Sequence, residues 1–221
     1  MTDSSVLDSS FTLPEYGRNS LAEVPSTIMK IFGIDSGRAS LSPDEFKSLL
    51  TPRINKAVML LVDGLGYKHL KQFQRRKTFF ERMERVGDLK PISTIFPSTT
   101  AAGLTTMSTG LTPQEHGLPE WNLWIKELGM VIETIPFKPF SSKIPDELLG
   151  LHTSPKILYD GETLYERLGN FGVPSFVFLK SPYAHSAYAS VMYRGSNVVP
   201  YSRGSDLMVK LRRMLLETSG P

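Results

Sequence analysis

The chain of 221 residues contains no cysteine, which excludes disulfide bonds, cysteine-ligated zinc and thiol chemistry. It also lacks a long apolar run, because the longest one, AVMLLV at residues 57–62, is far too short to span a bilayer. The N-terminal sequence MTDSSVLDSSFTLPEYG has neither the basic start nor the apolar core of a secretory signal. We therefore expect a cytoplasmic protein with no membrane partner.

The chain has little excess of either charge, with a net charge of +3 and a pI near 9.0. Its basic clusters, QRRK at residues 74–77 and the pair at 212–213, are typical of solvated helix faces, and no Lys/Arg stripe alternates with aromatic residues. We therefore expect no nucleic-acid partner. A hydrophobic fraction of 40% and a charged fraction of 21% are globular values, so residues 1–221 are expected to form a single α/β domain.

Apolar runs that alternate with amphipathic stretches indicate a doubly wound, mostly parallel sheet between helices. The run at residues 56–62 has no polar alternation, which is typical of a strand covered on both faces. Further strands are predicted at residues 90–96, 174–179 and 186–193. Helices are predicted to begin at Ser42 and to span residues 67–86, 98–109 (closed by Gly110), 161–172 and 205–217 (capped by Ser205). Residues 1–18 are interpreted as an irregular arm, and residues 118–160 as an insertion or lid.

Asp63 is the first residue that could carry chemistry, because it directly follows the apolar run and begins the turn Asp-Gly-Leu-Gly. Ligands of open parallel sheets bind beyond the carboxyl ends of the strands, so Asp63 could hold a metal ion there. The alternative is that its carboxylate only stabilises the glycine-rich turn, as Asp often does. The sequence leaves both readings open.

The second candidate region is FPSTTAAGLTTMSTG at residues 96–110, which is dense in hydroxyl side chains. Ser98 or Thr99 is expected to cap the helix, and Thr100 then lies in the first turn, where free N–H groups and the helix dipole favour negative charge. A threonine there can attack phosphorus if a divalent metal lowers the pKa of its hydroxyl. Residues 101–103, Ala-Ala-Gly, are expected to leave room for a substrate. The alternative is that these hydroxyls only cap and pack.

The segments AVMLLVDGLG and IFPSTTAAGLTTMSTGLTPQEHGL resemble the type I phosphodiesterase/nucleotide pyrophosphatase family of the alkaline phosphatase superfamily. The similarity rests on the strand ending in Asp-Gly, the Phe-Pro-hydroxyl turn, the TGL-x-P-x-x-HG ending, and the order of these pieces. It is strong over residues 56–117 and extends more weakly to LPEYG at residues 13–17 and to residues 163–179.

The resemblance implies an alkaline-phosphatase-like enzyme with two zinc ions that acts on a small-molecule phosphoester or nucleotide. It implies that Asp63 is a metal ligand, and that Thr100, ten residues before the Gly of the Thr-Gly pair, is both nucleophile and metal ligand. A phospho-threonine intermediate would follow. Asn122 lies one residue from the place where relatives have an Asn that contacts the phosphoryl oxygens, and Trp121 and Trp124 would border the site or pack. The His of the EHG turn, His116, is implied to be structural rather than a ligand.

Five further Asp and His ligands, usually an Asp-x-x-x-His, an Asp-His pair and a late His, are implied by the family but are not found here in that pattern. The candidates after residue 122 have other spacings; they are Asp146, His152, Asp160, His185 and Asp206. We therefore expect an N-terminal part of the enzyme, truncated at its C-terminus and inactive or very weak as it stands. The alternatives are a phosphomonoesterase or phosphonate hydrolase of the same superfamily and a non-catalytic relative. A sulfatase is disfavoured because the Cys/Ser-x-Pro-x-Arg setting of its nucleophile is absent.

Overall fold

A computed structural model describes residues 12–44, 46, 54–73 and 79–218 of the chain. The helices in these ranges are α1 (Val24–Ile31), α2 (Tyr67–Phe73), α3 (Phe79–Val86), α4 (Thr100–Thr109), α5 (Pro113–His116), α6 (Glu147–Gly150), α7 (Leu164–Asn170), α8 (Ala187–Met192) and α9 (Gly204–Glu217). The strands are β1 (Asn122–Ile125), β2 (Met130–Glu133), β3 (Lys138–Pro139), β4 (Phe176–Lys180) and β5 (Asn197–Tyr201). The mixed α/β class expected from the sequence is confirmed.

The described strands form two small sheets. One is a three-stranded antiparallel sheet in the order β1-β2-β3, and the other is the parallel pair β4-β5, with Phe176 opposite Asn197. The predicted insertion at residues 118–160 contains the whole antiparallel sheet. The parallel pair agrees with the predicted kind of sheet, while a complete doubly wound sheet stays a prediction.

The largest buried cluster joins the antiparallel sheet to α8. Ile125 and Ile132 on its inner face pack in one cluster with Phe137, Val191 and Met192. Burying a side chain of this size contributes about 1.5–3 kcal/mol. Two smaller clusters lie around α1 and α7, and around Ala22, Ile95 and Ala102 beside α4.

The prediction of a strand at residues 56–62 is wrong for this structure. Residues 54–62 have no regular secondary structure, and the apolar side chains of residues 58–62 are 45–61% exposed. An apolar run becomes a buried strand only where other strands pair with it and other layers cover it. No strand in the described parts of the chain pairs with this run.

The predicted strand at residues 90–96 is also wrong, because it is reduced to a single parallel bridge between Ser93 and Ser20. Ser93 receives a hydrogen bond from the N–H of Leu21 at its carbonyl and donates its own N–H to the carbonyl of Asn19. The segment that contains Ser20 becomes helical directly after this residue, so no further strand pairing with residues 90–96 can form there. Ile95 is nevertheless buried.

The prediction of a strand at residues 186–193 is wrong, because this segment is helix α8. The side chain of Ser186 accepts a hydrogen bond from the N–H of Ala189 and so caps the helix. A short segment that is apolar on every side can be buried on every side. Its pattern of apolar residues then has neither the helical nor the strand period, so the pattern cannot distinguish a helix from a strand. Nearly every side chain of α8 is buried, which explains the error.

The remaining predicted helices are confirmed with small changes of boundary. Helix α4 begins one residue after its cap Thr99, α7 lies within residues 161–172, and the strand expected at 174–179 is β4. Helix α9 begins at Gly204, so the cap is Arg203 and not the predicted Ser205. Near this start, the carboxylate of Asp206 accepts the N–H of Ser202 at 2.9 Å.

Two predictions fall partly outside the described residues. Residues 67–86 contain α2 and α3, while residues 74–78 between them lie outside the described ranges. After Ser42, whose carbonyl accepts the N–H of Phe46, the predicted helix start continues outside them as well. Of the predicted arm, residues 12–18 are described and enter a turn. None of the helices in the described ranges has the length and apolar character that a membrane span requires.

Candidate active site

The structure brings Asp63 and Thr100 together. The hydroxyl of Thr100 donates a hydrogen bond to Oδ2 of Asp63 with an oxygen–oxygen distance of 3.1 Å, across 37 residues of sequence. Both side chains are exposed to solvent. Asp63 begins a turn in which Gly64 has a φ of +74°, a conformation that glycine adopts without strain.

Helix α4 presents Thr100 because Thr99 caps it. The Thr99 hydroxyl accepts a hydrogen bond from the N–H of Ala102 at 3.3 Å and donates one to the carbonyl of Pro119 at 2.9 Å. Of the two caps that the sequence left open, Ser98 and Thr99, the structure therefore selects Thr99. Thr100 is then the first residue of the helix, where the dipole and the free N–H groups favour an anion.

Small residues at the start of α4 serve packing and not substrate access, contrary to the prediction. Ala101 and Ala102 have no exposed surface, and Ala102 lies in the cluster with Ala22 and Ile95. A methyl group on Gly103 would reach the Leu21 side chain at 3.8 Å, an ordinary packing distance. The first turn is thus held against its neighbours, and only the Thr100 side of it faces solvent.

The C-terminal end of α4 is closed as the sequence predicts. Gly110 has a φ of +72°, and its N–H donates to the Thr106 carbonyl at 2.8 Å. The guanidinium of Arg167 on α7 donates to the carbonyl of Thr109, so a cation lies at the negative end of the helix.

His116 is buried against α4. Its Nδ1 accepts the N–H of Leu118 at 3.0 Å, so Nε2 carries the proton and donates to the hydroxyl of Thr106 at 3.2 Å. Burial lowers the pKa of His116 to about 4, although the Ala102 backbone and Glu115 act in the opposite direction. This neutral, hydrogen-bonded ring has the structural role that the resemblance implies.

Asn122 lies at the exposed start of β1, opposite Glu133. Among the described residues, no hydrogen bond joins Asn122 to Thr100 or Asp63. It follows Pro119 by only three residues, and Pro119 is bonded to the cap of α4. Because three residues of chain span at most about 10 Å, the backbone of Asn122 lies within about that distance of Pro119.

The tryptophans that were expected to border the site or to pack lie on either side of Asn122. Trp121 donates its indole N–H to Glu133 at 3.2 Å, whereas Trp124 is 60% exposed.

The later Asp and His candidates have other surroundings. Asp146 accepts the N–H of Ala187, Asp160 pairs with Lys156 on the surface, and Asp206 pairs with Lys210. His152 and His185 are exposed. Across the described ranges, no three His, Asp or Glu side chains lie close enough together to hold a metal ion.

Two contacts of the site had no signal in the sequence. The Tyr16 hydroxyl accepts the N–H of Phe96 at 2.9 Å, which ties the N-terminal LPEYG segment to the turn before α4. The other is the hydrogen bond from Thr99 to the carbonyl of Pro119. Because every residue has a backbone carbonyl, the sequence does not indicate which one accepts this bond. LPEYG belongs to the weaker part of the family resemblance, and the contact of Tyr16 places this segment beside the turn before α4.

Asp63 and Thr100 therefore place a carboxylate and a hydroxyl side by side at the exposed start of a helix. The sequence profile of the type I phosphodiesterase / nucleotide pyrophosphatase family matches residues 57–200, which is more than half of the chain. The chain therefore belongs to this family of phosphoric ester hydrolases. Searches among curated proteins and among solved structures found no significant match.

Proposed function

We propose that this chain carries the nucleophile of a metal-dependent phosphodiesterase or nucleotide pyrophosphatase, and that Thr100 is that nucleophile. The single observation that carries the proposal is the 3.1 Å hydrogen bond from the Thr100 hydroxyl to Asp63. A nucleophile and a proton acceptor within hydrogen-bond reach are the signature of an activated hydroxyl. Family membership supplies the reaction class.

In the proposed reaction the Thr100 oxygen attacks the phosphorus of a small phosphoester or nucleotide. The new bond joins this oxygen to phosphorus, and the bond to the leaving alcohol or nucleotide breaks on the opposite side. Asp63 orients the hydroxyl and attracts its proton, while the free N–H groups at the start of α4 face the developing negative charge. Water then hydrolyses the phospho-threonine and restores Thr100.

The described residues alone do not fit a complete metal site. Asp63 and Thr100 offer two oxygen ligands, whereas a catalytic zinc takes three protein ligands, and no group of three is found in the described ranges. We propose that Asp63 and Thr100 are the first ligands of a two-metal zinc site whose other ligands lie outside the described ranges. The 221-residue chain by itself is then expected to be inactive or very weak.

The test is hydrolysis of bis-p-nitrophenyl phosphate with and without added zinc, in the longest natural form of the protein. Thr100→Ala should lower kcat at least about 1,000-fold, because it removes the attacking atom. Asp63→Asn should lower it strongly as well. Ser98→Ala is the matched control, since Ser98 is an exposed hydroxyl two residues away and should keep its activity.

Two further outcomes separate the alternatives. Faster hydrolysis of p-nitrophenyl phosphate than of the diester would favour the phosphomonoesterase. Equal rates in wild type and both variants would reject Thr100 as nucleophile. The non-catalytic alternative is favoured by one observation, the missing third ligand among the described residues, and it predicts no zinc-stimulated turnover in any form of the protein.

A further inference from the structure

Helix α4 is held by a ring of hydrogen bonds that passes through a residue outside the proposed chemistry. His116 donates from Nε2 to Thr106, one turn after Ala102 on the same helix. At its other nitrogen, His116 accepts the N–H of Leu118. The next residue, Pro119, accepts the hydroxyl of Thr99.

This ring closes on the cap of the helix. The Thr99 hydroxyl that donates to Pro119 also accepts the N–H of Ala102, and the N–H of Gly103 donates to the Thr99 carbonyl at 2.9 Å. Both bonds define the first turn, on which Thr100 lies. On the His116 side the ring passes through buried groups, because His116 is 5% and Thr106 0% exposed, whereas Thr99 and Pro119 are half-buried. A broken bond on the His116 side leaves a buried polar group unsatisfied.

We propose that His116 is a positioning residue for Thr100: through Thr106 on one side and the Leu118–Pro119 segment on the other, it fixes the capped first turn of α4 so that the Thr100 hydroxyl faces Asp63. The link to Thr100 rests on the function proposed above, whereas the link to the first turn rests on the hydrogen bonds alone. A shift of about 1 Å in a reacting group can cost about 100-fold in rate, so fixing this turn matters for chemistry.

Two conservative variants divide the ring into its halves. Asn can place an acceptor near the position of Nδ1 and keep the bond from Leu118, but it is too short to reach Thr106. Gln can reach Thr106 with a donor but lacks the acceptor for Leu118. His116→Ala removes both bonds.

The experiment is amide hydrogen exchange of the 221-residue chain, resolved by NMR at Ala102 and Gly103. His116→Ala should speed exchange there about 30-fold, since it removes two bonds worth about 1 kcal/mol each. His116→Asn and His116→Gln should each give an intermediate rate. The amide of Phe140, bonded to the carbonyl of Val131 in the antiparallel sheet, is the internal reference and should keep its rate.

Val173→Ala is the matched control, because Val173 is buried in the separate cluster with Leu164 and Leu168 and its loss weakens the fold without touching the ring. The proposal is overturned if exchange at Ala102 and Gly103 is unchanged in His116→Ala. It is also overturned if the rates rise there and at Phe140 in the same ratio as in Val173→Ala, because His116 then acts only on global stability.

Hydrolysis gives the second readout and separates this proposal from the proposed function. In an active form of the protein, His116→Ala should lower kcat about 10- to 100-fold with KM within about twofold, and the Asn and Gln variants should recover part of it. Local exchange effects together with no zinc-stimulated hydrolysis in the longest natural form of the protein would uphold the positioning of the turn and reject the threonine reaction. Normal kcat in His116→Ala would reject the positioning of Thr100.

Discussion

The two halves of the candidate site are held in very different ways. Thr100 begins a helix whose residues 105–109 and 101–102 are all buried and whose two ends are bonded to neighbouring segments. Asp63 ends an apolar segment, residues 58–62, that is about half exposed and unpaired by any described strand. The Thr100 hydroxyl is therefore fixed by the described fold, whereas the Asp63 carboxylate follows a segment that no described strand pairs with.

The same contrast extends to the C-terminal elements. No side chain of β4, β5 or α9 is fully buried, while the antiparallel sheet and α8 contribute most of the largest core cluster. Lys56, just before the apolar segment, donates to the carbonyls of Leu215 and Thr218 near the end of α9. The weakly packed elements thus lie together, and stability should be concentrated in the better-packed elements, which include the antiparallel sheet, α8 and α4.

The largest expected effect tests this contrast directly. Ile95→Ala removes a side chain that is 1% exposed beside α4 and should lower the free energy of unfolding by roughly 3 to 4 kcal/mol. Leu60→Ala, at a residue that is 61% exposed, should lower it by less than about 0.5 kcal/mol. Urea unfolding of both variants measures the two values. Equal losses would mean that residues 58–62 are buried in solution, and the contrast would be broken.

A smaller effect is expected from pH, because the well-packed half contains a buried neutral histidine. His116 has a pKa of about 4 in the folded state, below its ordinary value of 6.5, so between these values the unfolded state binds more protons. Stability due to this group is complete above pH 6.5 and is lost as the pH falls to about 4. The loss should reach about 2 to 3 kcal/mol.

Unfolding measured at several pH values in wild type and in His116→Gln isolates this loss, since the variant should lack it. Glu115 contributes in a lower window. Burial raises its pKa, but hydrogen bonds from Arg38 and Thr112 outweigh that effect and lower the pKa to about 2. Its stabilisation therefore declines only below about pH 4.5, in both proteins. An identical slope above pH 4.5 in wild type and variant would contradict the role given to His116.

The sequence predicted helix α4 better than the segments that lead to Asp63 and to α4, for a physical reason. The cap Thr99, the small-residue helix and the closing Gly110 are local signals, and each acts within a few residues of its own position. The strands predicted at residues 56–62 and 90–96 would need neighbouring strands from elsewhere in the chain. The β-propensity of the residues alone does not provide these hydrogen-bonding partners. The carbonyl of Pro119 and the hydroxyl of Tyr16 could not be predicted, because their roles arise only when distant segments meet.

The pairing of Asp63 with Thr100 shows where a motif adds to local signals. Neither residue type nor spacing could place two side chains 37 positions apart within hydrogen-bond distance, and their proximity was expected only because both lie in the family's pattern. In contrast, Ala101 and Ala102 were interpreted from size alone, and that interpretation was wrong because a small residue fits a tight packing contact as well as an open approach.

The smallest expected effect concerns the end of α4 and uses two glycines with the same backbone. Gly110 and Gly129 have φ values of +72° and +60°, so an alanine at either position should cost about 1 kcal/mol through backbone strain. At Gly110 the added carbon would also lie 3.3 Å from Arg167 and 3.4 Å from Pro25, whereas at Gly129 nothing lies within 4 Å. Gly110→Ala should therefore cost a few tenths of a kcal/mol more than Gly129→Ala, because Arg167 must move from the Thr109 carbonyl. Thermal unfolding of the two variants gives the difference. A smaller loss at Gly110 than at Gly129 would mean that Arg167 yields freely, and the C-terminal end of α4 would then be held less firmly than its capped N-terminal end.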